Sequence, residues 1–262
     1  MRHPALLAFL VVLLVAGCGG DSGGTPEATA PTSPPPSAAL PPEASPSPSP
    51  TRTVPPKPRL RPLPKKLPAG LVRTTGSEKV ALTFDDGPSP AWTPKVLDQL
   101  KAAKVKATFC VVGSQVRKHP ALLRRIVREG HQLCNHSWNH DLDLARRPVA
   151  EIRADLARTN KEIRRAVPDA EVPFYRQPGG RWTAEVVKVA KQLDMRSLHW
   201  TVDPQDWAKP TAATIAKRVK RAARPGAVVL LHDGGGDRAA TLAACAKLIK
   251  GLKRDHGVAK IA

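Results

Sequence analysis

From Ser77 onward, short apolar runs alternate with stretches whose apolar residues recur every three to four positions. The runs "KVALTF", "VKATFCVV", "HQLCNH", "VPFYR", "RSLHWTV" and "AVVLLH" have the length and content of strands. Between them lie the helix patterns "PKVLDQLKAAK", "PALLRRIVREG", "AEVVKVAKQL" and "AATIAKRVKRA". A longer stretch from Pro148 to Val167 sets Ile152, Leu156 and Ile163 on one face, and a last helix is predicted from about Ala239 to Lys253. Strands alternating with helices of this length predict βα units on a parallel sheet. The number of repeats, near seven, favours a closed or nearly closed barrel over an open sheet.

The first 77 residues break this pattern. "MRHPALLAFLVVLLVAGCGG" carries Arg2, an apolar stretch from Ala5 to Ala16, and then "VAGC". That is the layout of an export signal. Its end resembles a bacterial lipobox, which implies lipid on Cys18 and removal of residues 1–17. A plain secretory signal or an uncleaved anchor are the alternatives. Residues 18–77 are rich in Pro, Ser, Thr, Ala and Gly, and cannot bury a core; they are expected to form a disordered, partly polyproline II tether. The folded domain is then expected over residues 78–262. The protein is expected at the outer face of the bacterial cell membrane, held by its N-terminal lipid, or secreted.

Charge adds less than its size suggests. The formal net charge is +20. Such a balance can mark nucleic-acid binding. Here the export signal argues against it, and the basic residues lie along helices with no interleaved aromatics. Anionic wall polymers, or no partner at all, fit better, and basicity alone does not identify a substrate. The basic end of the tether, with Lys57, Arg59, Arg61, Lys65 and Lys66, reads most simply as a solvated run.

The candidate chemistry sits where the strands end. "FDDG" delivers Asp85 and Asp86, "NHSWNH" delivers His136 and His140, "RQPGG" delivers Arg176, "DPQDW" delivers Asp203 and Asp206, and "LLHD" delivers His232. In βα barrels catalytic groups gather at the C-terminal ends of strands. His136 and His140 are four apart, a spacing that on a helical turn points both imidazoles one way. Two histidines and one carboxylate suit a divalent metal with positions left open for water and substrate.

From about Lys79 to the C-terminus the chain resembles the polysaccharide deacetylase family, the NodB-homology domain of carbohydrate esterase family 4. The matching motifs, in order, are "TFDDG", "HSWNH", "RQPGG", "DPQDW" and "LLHD". The resemblance implies an α/β fold, a distorted (β/α) barrel of about seven strands. It also implies a metal-dependent hydrolase that removes N-acetyl groups from a cell-wall or extracellular amino-sugar polysaccharide, either peptidoglycan or chitin oligomers. By that resemblance Asp86, His136 and His140 hold the metal, most often zinc, with cobalt also possible. Asp85 is the base, Arg176 orients it, His232 is the acid and Asp206 tunes it. Trp207, Leu230 and Pro178 form the substrate pocket, and a monomer is expected.

Two readings stay open beside this one: an esterase that removes O-acetyl groups with the same site, and a wall-binding pseudoenzyme. The chain departs from the family at Cys110 and Cys134, which stand where it usually has phenylalanine and glycine. They lie on neighbouring predicted strands of an exported protein and either pair as a disulfide or are two small buried apolar groups. Pairing would leave Cys245 free.

Overall fold

The computed structural model describes residues 60–262. Cys18, the signal segment and most of the tether lie outside the described residues, and no described helix is long and apolar enough to cross a membrane. Seven strands form one parallel sheet: β1 (Leu71–Val72), β2 (Ala81–Asp85), β3 (Thr108–Val111), β4 (Gln132–Asn135), β5 (Phe174–Tyr175), β6 (Arg196–Leu198) and β7 (Val228–His232). Their spatial order is β1-β6-β5-β4-β3-β2-β7. The two edges do not pair as strands, but single bridges from Thr74 to Ala227 and from Val202 to Val229 stitch the gap. The result is the distorted, nearly closed barrel that the alternation predicts.

Helices α1 (Thr93–Ala102), α2 (Gly113–Lys118), α3 (Pro120–Arg128), α4 (Val149–Ala166), α5 (Ala184–Gln192), α6 (Ala212–Ala222) and α7 (Ala239–Asp255) cover the outside. Local chemistry sets their starts. Pro94 and Pro120 stand in the first turns of α1 and α3, where a missing N–H costs nothing. The Thr183 and Thr211 hydroxyls accept from the Val186 and Thr214 N–H groups to cap α5 and α6.

Strand alternation sorts the side chains into two layers. Leu82, Phe84, Phe109, Val111, Leu133, Val229 and Leu231 face outward into the main core under the helices. The opposite parity faces the barrel interior, where Ala81, Cys110, Cys134, Phe174, Leu198, Val228 and Ile261 form a separate apolar floor. Continuing that inward parity to the strand ends brings up Asp85, His136, Arg176 and His232. The catalytic candidates thus stand on an apolar plug.

Two sequence expectations change and one element was missed. The fold begins before residue 78: β1 pairs with β6, Thr75 is buried, and the Arg61 guanidinium donates to the Arg147 carbonyl at 2.6 Å. A two-residue strand inside Pro-rich, basic sequence leaves no periodicity to detect. Helix α2 was also not legible, because six residues offer too few turns for a clear apolar stripe. Finally, "HSWNH" is not helical. It is a loop after β4 in which Ser137 and His140 take positive φ values of 64° and 57°.

Candidate active site

Asp85 closes β2, with His232 of β7 and Cys110 of β3 as its register partners on either side. Beyond it Asp86 turns out of the strand at φ 75°, an unfavourable region for a residue with a Cβ. Its turn is pinned by glycines. A Cβ on Gly234 would collide with the Asp86 backbone, and one on Gly235 with the Asp86 carboxylate.

The His136–His140 loop is held from both sides. The Gly113 and Ser114 N–H groups donate to the Ser137 and Trp138 carbonyls at 3.0 and 2.9 Å. Buried Asn135 accepts from the Ser137 N–H and donates to the Leu156 carbonyl and Asn160 of α4. Asp155 of α4 accepts from the Trp138 N–H at 2.8 Å, and the Trp138 ring lies between Arg117 and Arg158. The loop therefore enters the site already shaped.

Within it, His136 Nδ1 donates to the Arg176 carbonyl at 2.8 Å, which fixes the tautomer and turns Nε2 toward the carboxylates. His136 Nε2 lies 3.4 Å, and His140 Nε2 3.3 Å, from Asp86 Oδ1. That oxygen is buried and has no hydrogen-bond partner. One carboxylate oxygen and two imidazole nitrogens converge within 4.8 Å of one another. Burial alone would raise the Asp86 pKa; contact with His136 and the charges of His136, His232 and His140 outweigh it and hold the carboxyl well below its usual range. Burial and the His136 charge lower the His140 pKa against the pull of Asp86 and Asp85. An ionised carboxylate and a neutral imidazole are the ligand forms a cation requires. The donor set and the orphaned oxygen fit a divalent metal.

Asp85 faces the other way. Its Oδ1 accepts from Arg176 Nη1 at 2.6 Å, while Oδ2 stays 3.6 Å from His136. Arg176 is fully buried and braced by the Thr83 hydroxyl and the Leu198 and His199 carbonyls. Across the site, His232 Nδ1 donates to Asp206 Oδ1 at 2.7 Å. Burial pulls the His232 pKa down, but the bond and charge of Asp206, with help from Asp86 and Asp85, carry it above its usual value.

Asp85, Asp86, His136, His140 and His232 line a cleft of about 530 Å³, with Arg176 and Asp206 buried behind it. Trp207, half exposed, and Leu230 form part of its wall. Pro178 does not line it; this proline is buried, and its neighbours Gln177 and Gly179 provide that stretch of wall. A strand-end motif gives the position but not which of its residues turns outward. Leu142, Trp200 and Arg238 also line the cleft and were not singled out from sequence. Trp200 was hidden in a run read as strand, which ends at Leu198.

The sequence and the fold are similar to known proteins. A family model described as polysaccharide deacetylase matches residues 72–198. A chitooligosaccharide deacetylase of Bradyrhizobium sp. (strain ANU 289) is 44% identical over 170 residues, covering 64% of this chain and 77% of that protein. The chain belongs to the polysaccharide deacetylase family. A peptidoglycan-N-acetylglucosamine deacetylase of Bacillus cereus is 38% identical over 192 residues, covering 71% of this chain and 89% of the relative. Among solved structures, a CE4 family pseudoenzyme from Bacillus anthracis superposes with TM-score 0.68 at 31% identity, covering 74% of this chain and 68% of the other. Fold likeness within this family therefore does not by itself distinguish an active member, and the residues of the cleft have to carry that argument. Cys110 and Cys134, register partners on β3 and β4, are joined as a disulfide with Cα atoms 4.1 Å apart, and Cys245 is free and buried.

Proposed function

We propose that this protein is an exported, metal-dependent deacetylase that removes N-acetyl groups from the glycan strands of the cell wall, with peptidoglycan as the nearest substrate. The observation that carries the reading is the orphaned Asp86 Oδ1 between two histidine nitrogens, in one cleft with an Arg-clamped Asp85 and an Asp-held His232. Asp86, His136 and His140 would hold the cation, with zinc as the expected metal. When bound, such a cation supplies Lewis acidity to an amide carbonyl and lowers the pKa of an attacking water.

The chain's own residues do the rest. Asp85 takes the proton of the attacking water at its carboxylate, kept in place and in charge balance by Arg176. His232, protonated because of Asp206, gives a proton to the departing amine, which leaves poorly without one. Trp207 and Leu230 wall the cleft against the acetyl end of the substrate. Lipidation at Cys18, removal of residues 1–17 and a tether ahead of the fold would put this cleft within reach of the wall, on a monomeric enzyme.

The test is acetate release from peptidoglycan, chitin oligomers and acetylxylan by the zinc-loaded chain. Peptidoglycan should be the best of the three. Faster release from acetylxylan would favour the O-acetyl esterase, and release from none would favour the wall-binding pseudoenzyme.

A further inference from the structure

Lys220 on α6 and Lys247, Lys250 and Arg254 on α7 edge a groove of about 380 Å³ floored by Val219, Ala223, Leu248 and Leu252. Lys250 and Arg254 also edge an adjoining cavity of about 540 Å³ with Lys104 and Lys253. The groove lies at the end of the barrel where strands begin. Just beyond α7, the Gly257 carbonyl accepts from the Val80 N–H, which precedes β2. The catalytic cleft is at the opposite end of the strands.

Positions 247, 250 and 254 share one helix face and span about 10 Å. Across α6 and α7 the single acidic residue is Asp255, and Arg254 already holds it at 2.7 Å. Helix dipoles account for cations in the last turns, namely Lys220, Arg221, Lys253 and Arg254. They do not account for Lys247 and Lys250. These leave a concave strip of uncompensated positive charge on an apolar floor.

We propose that this groove docks a polyanionic chain, a polymer bearing phosphate or carboxylate groups along its length. Charge complementarity names the occupant, and the groove's other features narrow it. The large exposed apolar side chains of the described residues are Leu63, Leu67, Leu142, Val149 and Trp207, none on α6 or α7, so this face has nothing to insert into a bilayer. Neither helix carries an aromatic residue on which a nucleic-acid base could stack. A polymer held here leaves the cleft open, so the enzyme could stay on an anionic matrix while it works on neutral glycan. The inference does not depend on the catalytic reading.

The test uses the zinc-loaded full chain and immobilised long-chain inorganic polyphosphate at rising salt. The triple variant Lys220→Glu, Lys247→Glu, Lys250→Glu should weaken binding about tenfold or more and flatten its salt dependence. A control with Lys161→Glu, Arg164→Glu and Lys188→Glu makes the same change in net charge elsewhere and should stay within about threefold of wild type. Acetate release from a short neutral chitin oligomer and the thermal midpoint check folding; if the Glu variant unfolds, the Gln triple variant replaces it. Equal losses in groove and control variants would overturn the proposal, because net charge alone would then explain binding. Loss of binding to phosphatidylglycerol vesicles with polyphosphate binding intact would overturn it in favour of a membrane.

Discussion

Asp206 holds His232 twice: Oδ1 accepts the ring Nδ1–H at 2.7 Å, and Oδ2 accepts the His232 backbone N–H at 2.9 Å. Thr241 of α7 donates to the same Oδ2, so the carboxylate is fixed before it meets the imidazole. Burial disfavours the imidazolium, and Asp206 more than offsets that, so the folded pKa lies above the ordinary 6.5. If His232 is the acid, turnover falls as pH rises through that raised value. Asp206→Asn should lower kcat and shift the alkaline limb of the pH–rate profile to lower pH. A limb that stays in place would detach His232 from it.

The acid and the base should separate by substrate. An ester has a better leaving group than an amide and needs less help from a proton donor. His232→Ala should therefore cost about 10²–10⁴-fold on an N-acetyl substrate and markedly less on an O-acetyl one, whereas Asp85→Asn should cost both alike. Parallel rate assays on chitin oligomer and acetylxylan, with metal content measured, decide it. Equal losses for His232→Ala would assign the leaving-group proton elsewhere.

Much of this site was legible because strand ends expose their chemistry in sequence. "FDDG", "RQPGG" and "LLHD" each follow a run of inward-outward alternation, and the inward parity that buries Val228 also brings up Leu230 and His232. The backbone that converges these groups was not legible. Asp86, Ser137 and His140 take positive φ values, and the turns at Asp86 and Ser137 pack against Gly234, Gly235, α2 and α4, contacts that no local motif in the sequence announces. Arg238 was missed although it follows "LLHD" by five residues: it is buried beside Asp86 with Nε on the Gly234 carbonyl at 2.6 Å, and the loop that folds it back toward the site carries no periodicity to show the turn. Strand β1, two residues long, is defined only by its pairing with β6.

Asp233, one residue after His232, tests the electrostatics of the site floor. It is fully buried, and burial, followed by the charges of Asp86 and Asp85, pushes its carboxyl up to about 7 despite the Thr93 hydroxyl bond. The folded state thus holds a proton that the unfolded chain releases near 3.8, so stability from this group is full below that value and is lost as pH rises to about 7. In the metal-free protein, Asp233→Asn should raise the thermal midpoint relative to wild type at about pH 8 and give no such gain at about pH 4. Calorimetry at the two pH values reads the difference. A gain of the same size at both would refute the assignment.

The disulfide predicts a thiol count. With Cys18 lipidated or removed, denatured and non-reduced protein should show one free thiol, that of Cys245. Three would mean that Cys110 and Cys134 remain reduced in the isolated protein. Since both lie in the apolar floor under the cleft, Cys110→Ala with Cys134→Ala should lower stability by about 2–4 kcal/mol without changing metal binding.

The central claim is that Asp86, His136 and His140 hold a divalent metal on which deacetylation depends. It is tested most directly by acetate release from peptidoglycan before chelation, after chelation and after zinc is restored, in wild type and in His136→Ala/His140→Ala. The account predicts loss on chelation and recovery with zinc in wild type, and no activity in the double variant under any condition. Undiminished acetate release by the chelated enzyme or by the double variant would contradict it.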